Sequence, residues 1–452
     1  MSIPDALLAQ RFGFGPRAGQ LPARKPGDQL AQPDRMVKEF AAPDTRAVLE
    51  QAAEWRAQMR AQKDDTKAGV EGRRAVRQEA AVWTMRNART ELARAVSGDD
   101  GFRERLVRFW ADHFTVRIEN VIERGLVTAM ADDAIRPNLT APFARMLRAA
   151  VLHPAMLGFL NQTASTGPDS PVGQRKSVGL NENLARELLE LHTLGVDGGY
   201  TQHDVRQTAL LLTGLVVAGP EGTAFQPRRA EPGAETVLGR SYGGGNAGRI
   251  EDIHQLLDDL AAHPSTARHI CGKLAVHFVS DTPEPVLVND LVAVWSKTDG
   301  DLKAVCRALA DHPAALRPVL EKARQPLDFI VAGLRALGVT GAEVLRWNDQ
   351  FTRRAALEPM LAMGQKWQSP NGPDGWEEGF DHWITPHALA NRIDWAMKIP
   401  VRLRPDLPDA RDFVGHALAD LASDDLRLMV SRAERKAEGV GLVLASPQFN
   451  RR

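Results

Sequence analysis

The residues best suited to chemistry lie in one short segment, residues 181–195, which reads NENLARELLELHTLG. A helix is predicted over 182–194, ending at a glycine. At about 100° per residue, five polar positions fall within roughly a third of its circumference. These positions are Asn183, Arg186, Glu187, Glu190 and Thr193. The leucines fall on the other side, so Glu187 and Glu190 project from one face, one turn apart.

Two carboxylates at this spacing suit acid–base catalysis. If their face is buried, both cannot stay ionised without partners. Arg186, four residues before Glu190, is predicted to hold one of them ionised, while the other has a raised pKa and acts as general acid or base. A carboxylate pair is also the minimum for hydrolysis of a glycosidic bond. A partner carboxylate from elsewhere has five candidates: Asp112, Asp132, Asp133, Asp197 and Asp204.

An outward-facing polar surface would produce the same pattern, because most charged helix faces are simply solvated. Two features argue for burial instead. This face carries no lysine, and it carries asparagines, of which Asn181 and Asn183 are predicted to orient a substrate. Exposure of Glu187 and Glu190 to bulk solvent, with no concavity beside them, would remove the prediction.

Two histidines suggest a different site. His192 falls among the leucines, and His113 lies among aromatic residues on its own predicted helix. A lone histidine in such a place is usually a hydrogen-bonded core residue. If the two imidazoles meet, they could bind a transition metal together with a carboxylate. Neither helix has His-Glu-x-x-His spacing, so no cofactor is expected, and a metal held by His113 and His192 is the alternative.

Tryptophan is unusually frequent, with nine Trp against two Tyr. Five of them lie near the C-terminus: Trp347, Trp367, Trp376, Trp383 and Trp395. Such rings either anchor an irregular segment in the core or form a wall that stacks on sugar rings. The predicted substrate-binding residues are Asn181, Asn183, Trp110, His113, Tyr200, Asp204 and Trp376.

The elements that position these residues are predicted to be helices. Periodicity and breakers indicate an all-α fold, a multi-helix globular array with a small irregular or hairpin insertion near 218–250. Three parts are predicted. Residues 1–215 form an N-terminal helical domain that carries the motif at 181–204, and 216–250 form an irregular insertion that could act as a lid. Residues 251–452 form a C-terminal helical domain with a Trp-rich loop at 365–387.

Composition excludes several classes of partner. Lys plus Arg equals Asp plus Glu, 57 each, so the whole-chain charge does not favour nucleic acid. The sequence contains no apolar run of about 18 residues, and no membrane span is predicted. The first residues lack the pattern of a secretory leader. We therefore expect a cytoplasmic protein, or a periplasmic one if a leader has been removed.

The sequence resembles the bacterial family of domain of unknown function 1800 over nearly the whole chain. The most specific segment is 181–200 with Asp204. The other matching segments are 11–15 (RFGFG), 104–116 (ERLVRFWADHFTV), 153–157 (HPAML), 262–267 (AHPSTA), 374–376 (DGW) and 383–386 (WITP).

The resemblance implies a helical protein and brings no established activity with it. Members often look exported and often accompany a sulfatase-like protein, which is the partner that the resemblance suggests. In many members the corresponding loop resembles a His-Asp pattern, whereas this chain reads QPRRAE at 226–231. If that histidine serves the site elsewhere, the chemistry of this chain is altered or lost.

The sequence leaves three functional hypotheses. The first is a hydrolase or lyase that acts on a polysaccharide-like polymer, with Glu187 and Glu190 as acid–base carboxylates and Arg186 as their partner. The second is a non-catalytic helical scaffold that binds a partner protein, in which the 181–204 motif is a buried polar network. The third is a metal protein that uses His113, His192 and a glutamate.

Overall fold

The computed structural model describes residues 5–63, 66–99, 101–176 and 179–452. The predicted all-α class is confirmed, since short hairpins are the only sheets in the part of the chain that it describes. The helices before the hairpins are α1 (Asp5–Phe12), α2 (Pro26–Gln29), α3 (Met36–Glu39), α4 (Thr45–Ala61), α5 (Lys67–Ser97), α6 (Gly101–His113), α7 (Gly125–Met130), α8 (Phe143–Val151), α9 (Pro154–Phe159), α10 (Gly173–Lys176), α11 (Asn183–Glu187) and α12 (Gln202–Leu211).

Two of these helices continue directly into wider π-helical turns. Ala131–Ile135 follows α7, and Leu188–Thr193 follows α11. Short 3₁₀ turns lie at Arg136–Asn138 and Gln162–Ala164. A π turn holds one extra residue, so the side chains beyond it are rotated relative to a regular helix.

The predicted insertion consists of two hairpins. Strand β1 (Leu215–Val217) pairs antiparallel with β2 (Thr223–Phe225), with Leu215 opposite Phe225. Strand β3 (Gly233–Val237) pairs antiparallel with β4 (Arg240–Gly245) and has a register shift at its first residue. Short 3₁₀ turns at Gly219–Glu221 and Pro227–Arg229 complete the segment. Val237 and Tyr242 are buried, which anchors the second hairpin to the core.

The chain after the hairpins is again helical. Its helices are α13 (Ile250–Ala262), α14 (Pro264–Phe278), α15 (Pro285–Lys297), α16 (Leu302–Asp311), α17 (Pro326–Ala336), α18 (Gly341–Arg346), α19 (Asp349–Thr352), α20 (Glu358–Ala362), α21 (Phe380–Trp383), α22 (Pro386–Leu403), α23 (Ala410–Leu418), α24 (Asp424–Ser431), α25 (Lys436–Ala445) and α26 (Pro447–Asn450). A π turn, Arg353–Leu357, joins α19 to α20, and 3₁₀ turns lie at Pro313–Leu316 and Ala419–Leu421.

Three His-Pro pairs begin helical segments in the same way. His153, His263 and His312 each precede a proline, which suits the first helical position because its missing N–H needs no partner there. Each imidazole Nδ1 accepts the backbone N–H two residues later, at 3.1 Å. These histidines are N-caps, so their role is structural.

Two large apolar cores, with a small third cluster around Trp55, hold the helices together. The first draws its residues from 8–315 and includes Leu188 and Leu256. The second is built mainly from 327–449, with the C-terminal end of α5 added. The cores thus divide near residues 316–326, whereas the predicted domains divide at 216–250. Among the helices of the described ranges, none is long and apolar enough to cross a membrane.

Candidate functional site

A cavity of about 150 Å³ opens between the two cores, and we call it the inter-core cavity. Helices α5, α6 and α7 form one wall. The opposite wall comes from α17 and from the Trp-rich loop, which contributes Trp367 and Trp376. A largely apolar cavity with a few convergent polar groups is the most common setting for a small-molecule site.

Helix α6 turns one face toward this cavity. Arg105, Arg108 and Asp112 are spaced by three and four residues and therefore share a face. Phe109 and Trp110 point into the first core instead. The segment ERLVRFWADHF thus gives α6 a charged face and an aromatic face. Packing of the aromatic face in the first core fixes the position of Asp112.

Asp112 is the carboxylate best placed for acid–base work. Its Oδ1 and Oδ2 both accept the backbone N–H of Trp376, at 3.0 and 3.2 Å. Burial, and next the negative charge of Glu378, raise the pKa of Asp112 to about 7. A carboxyl with this pKa is partly protonated at neutral pH and can give or take a proton.

The Asp374-Gly375-Trp376 turn requires glycine at its central position. Gly375 has φ +88°, and a Cβ built there would lie 2.8 Å from the carboxyl of Asp112. Only glycine has both the backbone freedom and the small size for this position. The glycine therefore allows the backbone of this turn to contact the Asp112 carboxyl directly.

Glu91 is a second carboxylate in the cavity wall. It accepts hydrogen bonds from Thr128 Oγ1 at 2.7 Å, Gln368 Nε2 at 2.6 Å and Trp367 Nε1 at 2.8 Å. Burial raises the pKa of Glu91 although these bonds oppose the shift. With three donors in place, this group is held rather than free.

Lys273 on α14 interacts with Asp112 through its charge. His269, Lys273 and His277 are spaced by four and share one helix face. Burial lowers the pKa of the Lys273 ammonium, although the charges of Asp112, Glu378 and Asp374 oppose this shift. Within the described residues, this half-buried amine has neither a hydrogen bond nor a carboxylate within 4 Å.

Glu378 contrasts with Asp112 because the His277 imidazole and the Lys322 ammonium contact it directly. It pairs with His277 Nδ1, and Lys322 Nζ lies 3.3 Å from its Oε2. Burial by itself would raise the pKa of Glu378, but His277 and Lys322 outweigh that effect and lower the pKa to about 2. Glu378 is therefore a permanent anion near Asp112.

The predicted pair, Glu187 and Glu190, is half-buried. Tyr200 donates its hydroxyl to Glu190 Oε2 at 3.1 Å. Glu187 accepts no hydrogen bond from any described residue, and burial followed by repulsion from Glu190 and Asp374 raises its pKa. Neither glutamate lines the inter-core cavity, although the charge of Asp374 in the Trp-rich loop acts on Glu187.

The geometry predicted for Arg186 is wrong. Its guanidinium donates to Gln202 Oε1 at 2.9 Å and lies 3.5 Å from Glu182 Oε2, so it does not bind Glu190. The predicted regular helix over 182–194 consists of α11 and then a π turn, which rotates the later positions. The prediction that Thr193 lies on the polar face is also wrong, because Thr193 is fully buried and donates to Leu188 O.

Other predicted site residues bind the chain to itself. Asn181 Nδ2 donates to the carbonyls of Leu160 and Asn161, both at 3.0 Å. Asp204 accepts from Thr201 as a helix N-terminal box and from the Leu238 backbone at 2.7 Å. These contacts lower the pKa of Asp204 although its partial burial acts the other way. Asn183 is exposed, and its backbone N–H is capped by Asn181 at 2.9 Å.

Of the two tryptophans predicted to line a substrate, one does line the cavity. Trp376 forms part of the wall. Trp110 has no exposed surface and packs among Phe109, His113 and Phe114, so it cannot contact a substrate in this conformation. The prediction for Trp110 is corrected accordingly. His113, also buried, is corrected on the same ground.

The two predicted histidines do meet, and a third joins them. The ring centroids of His113 and His192 are 6.1 Å apart, and those of His113 and His269 are 6.3 Å apart. His113 Nε2 donates to His192 O at 3.2 Å, and His269 Nε2 to Leu191 O at 3.1 Å. Burial, and next the charge of Lys273, lower the pKa of His192 to about 3. Within the described ranges, no three His, Cys, Asp or Glu side chains converge as metal ligands.

The five candidate partner aspartates differ in whether they line the cavity and in which groups they contact. Asp132 lines the cavity but is paired with Arg94 at 2.6 Å. Asp133 accepts the Thr45 backbone N–H, Asp204 is used as described, and Asp197 is exposed. Asp112 is the one that lines the cavity without a cation within 4 Å among the described residues.

The insertion lies outside the cavity wall. The segment at 226–231, where the resemblance expects a His-Asp pattern, docks on the loop at 163–169. Arg229 donates to Thr163 O at 2.8 Å, and Glu231 accepts the Asp169 backbone N–H at 3.0 Å. The predicted role as a lid stays a prediction.

Comparison with known proteins agrees with the resemblance. Residues 7–451 match the family described as "Protein of unknown function (DUF1800)", and the chain belongs to that family. No curated protein and no solved structure matches the chain.

Sequence reasoning missed Lys273, His277, Glu378 and Glu91. The spacing of four between His269, Lys273 and His277 was a usable signal, because it places three titratable groups on one helix face. Glu91 gave no such signal, since its partners come from a helix and a loop far along the chain.

Proposed function

We propose that the protein is a hydrolase or lyase that acts on a polysaccharide-like polymer at the inter-core cavity, with Asp112 as proton donor. The position of Asp112 supports this most strongly. Its carboxyl lines the cavity beside the Trp376 indole, and its pKa of about 7 suits a general acid at neutral pH. The indole rings of Trp367 and Trp376 in the cavity wall offer the kind of surface on which a sugar ring stacks.

Glu187 and Glu190 supply the second carboxylate in this proposal. Glu187 is half-buried, has a raised pKa and is not engaged by any described donor. Asp112 accepts the Trp376 N–H and the charge of Asp374 acts on Glu187, so a polymer that extended from the cavity over the Asp374–Trp376 turn would bring one substrate to both carboxylates. Arg186, partly exposed beside Glu187, would then bind polar groups of the substrate.

The test is a panel of glycans with wild type, Asp112→Asn, Glu187→Gln and Glu190→Gln, measured by release of new chain ends. We expect Asp112→Asn to lower turnover by about 10²–10⁴-fold, the usual contribution of a general acid. Glu187→Gln should follow with a smaller loss. Asp258→Asn is the matched control, because Asp258 pairs with Arg148 outside the cavity.

Two results would refute this proposal. One is equal turnover of wild type and Asp112→Asn on every substrate that the wild type cleaves. The other is a wild type that cleaves none of the panel.

A scaffold that binds a partner protein, such as the sulfatase-like protein suggested by the resemblance, is the second candidate. It is supported by the 181–204 motif, whose Asn181, Asp204 and Tyr200 side chains are used in internal contacts. Glu187→Gln and Asn181→Ala together discriminate between the two. An enzyme loses turnover in Glu187→Gln, whereas a scaffold shows no turnover and changes little in Glu187→Gln, which removes no hydrogen bond from a described residue. In a scaffold, Asn181→Ala removes the donor to two backbone carbonyls and should lower the unfolding free energy by about 1–3 kcal/mol.

A further inference from the structure

We propose that the polymer is acidic, and that Arg108 binds a carboxylate or sulfate group of its sugar rings inside the inter-core cavity. This inference rests on the proposed function, because it names the substrate class of the same site. The arginines of the cavity wall support it, since Arg108 is bound differently from the others.

Two arginines of the cavity wall are held by carboxylates. Arg94 donates two hydrogen bonds to Asp132, and Arg136 donates two to Glu104, all at 2.6–2.9 Å. A guanidinium whose fork grips a carboxylate in this way has few donors left for a ligand. These two arginines therefore stabilise the wall.

Arg108 lines the same cavity with most of its donors unused. It lies three residues after Arg105 and four before Asp112, on the face of α6 that is turned to the cavity. Its side chain is 26% exposed, and Nε lies 3.4 Å from Asp328 Oδ1. Within the described residues, Nη1 and Nη2 have no hydrogen-bond acceptor, and neither atom is sealed in the interior. The outer edge of this guanidinium is thus open to the cavity.

Asp328 is the carboxylate beside Arg108, and it is shared. Arg105 Nη1 lies 3.2 Å and Arg452 Nε lies 3.8 Å from its other oxygen, Oδ2. Asp328 is buried, so one carboxylate serves three guanidinium groups where the dielectric is low. Arg105 Nε and Arg452 Nη2 are also buried and have no hydrogen-bond partner. A further negative group beside Arg108 is therefore favoured.

The other charges of the cavity wall do not oppose an acidic ligand strongly. Burial raises the pKa of Asp112 to about 7 and also raises the pKa of Glu91, although the charge of Arg108 opposes both shifts. Both carboxyls are thus drawn toward their neutral forms. Lys366 is exposed, lines the cavity and has no ion pair with a described residue, so it adds a cation at the edge.

The spacing suits a single sugar ring. Residues four apart on a helix have Cβ atoms about 5–6 Å apart, so one ring can reach both Arg108 and Asp112. A ring that stacks on Trp376, whose N–H binds Asp112, can place its acidic substituent at Arg108. Carboxylate and sulfate both match the planar fork of a guanidinium with two parallel hydrogen bonds.

Titration calorimetry of the full chain tests this without requiring turnover. The probes are trisaccharides of galacturonate and of glucuronate, their methyl esters, and a sulfated trisaccharide with its sulfate-free form, all at pH 7 and one salt concentration. We expect at least one acid to bind about tenfold or more tightly than its neutral form, because a charge-assisted hydrogen bond is lost in the latter. The carboxylated and sulfated probes show which acid is preferred.

Three variants locate the acidic group. Arg108→Gln should bind acid and neutral form about equally. If circular dichroism shows that this variant is unfolded, Arg108→Lys replaces it, and it should bind the acid more weakly because it lacks the planar fork. Arg148→Gln is the matched control, since Arg148 pairs with Asp258 outside the cavity, and it should keep the preference of the wild type.

Equal affinity of acid and neutral form in every pair would overturn this inference, as would the absence of binding by every acid. A preference that is unchanged in the folded Arg108 variant would also overturn it. Asp112-dependent cleavage of neutral glycans, with no preference for acids, would overturn it and leave the proposed function intact. Arg108-dependent binding of an acid that is never cleaved would support it and contradict the proposed function.

Discussion

Two groups of charged side chains differ in geometry: one lines the inter-core cavity, and the other includes Asp112 and residues outside the cavity lining. In the first, which we call the paired network, Arg136 grips Glu104 with two bonds of 2.9 and 2.6 Å, and Arg94 grips Asp132 with two bonds of 2.6 and 2.9 Å. The second group, which we call the open network, consists of Asp112, Lys273 and Glu187. None of these three side chains forms an ion pair with a described residue.

The consequence is visible in the protonation of each group. Burial alone would lower the pKa of Arg136, but Glu104, Asp34 and Asp132 raise it, so this group is charged at every pH of interest. In the open network, burial wins, because it raises the pKa of Asp112 and lowers that of Lys273. Charges in contact hold the fold together, whereas charges kept apart approach neutrality and become available for proton transfer.

The largest expected effect comes from breaking the paired network. Glu104→Gln leaves Arg136 buried without its bidentate partner, and we expect a loss of about 3–5 kcal/mol in unfolding free energy. Urea unfolding followed by circular dichroism measures it. Glu119→Gln is the control, since Glu119 is exposed and its pair with Arg117 is worth at most about 1 kcal/mol. A loss below about 1 kcal/mol for Glu104→Gln would show that the two networks do not differ.

An intermediate effect of opposite sign is expected in the open network. Asp112→Asn keeps the acceptor for the Trp376 N–H but removes a carboxyl whose pKa is raised to about 7 in the folded protein. A raised carboxyl pKa destabilises the fold as pH rises from the unfolded value near 4 toward 7. The variant should therefore match wild type at pH 4 and exceed it by about 1–3 kcal/mol at pH 8.

Thermal unfolding of both proteins across that pH range measures the difference. A variant that is less stable than wild type at pH 8, by as much as Glu104→Gln, would place Asp112 in the paired network instead.

The smallest effect concerns the motif at 181–204. Asp204→Ala removes a helix N-terminal box and the bond from the Leu238 backbone, and we expect a loss of about 1 kcal/mol with the fold retained. Chemical denaturation checks this value. Asp197→Ala, at an exposed position in the same segment, is the control and should change little.

Much of the fold followed from local pattern. The helices and the hairpin insertion were predictable, because each depends on periodicity or on nearby breakers. The contact between His113 and His192 could be named only as a possibility, because it joins residues 79 positions apart. The π turn at Leu188–Thr193 was not predictable, since it gives the same leucine pattern as a regular helix over so few residues. That turn is why Arg186 does not reach Glu190.

The site itself was only partly predictable. Asp112 and Trp376 could be named as candidates, but their contact joins α6 to a loop more than 250 residues later. No local rule gives such a pairing. The division into cores near 316–326, rather than at the insertion, has the same cause: α13 to α16 pack on the N-terminal helices through contacts distant in sequence.

The protonation of Asp112 is the most direct test of this account. Aspartate labelled with ¹³C at Cγ gives a carboxyl resonance that moves on ionisation, and the Asp112 signal is assigned by its loss in Asp112→Asn. We expect a titration midpoint of about 7 for this signal. A midpoint near 4, the ordinary value for aspartate, would mean that Asp112 is a permanent anion and would contradict its role as proton donor.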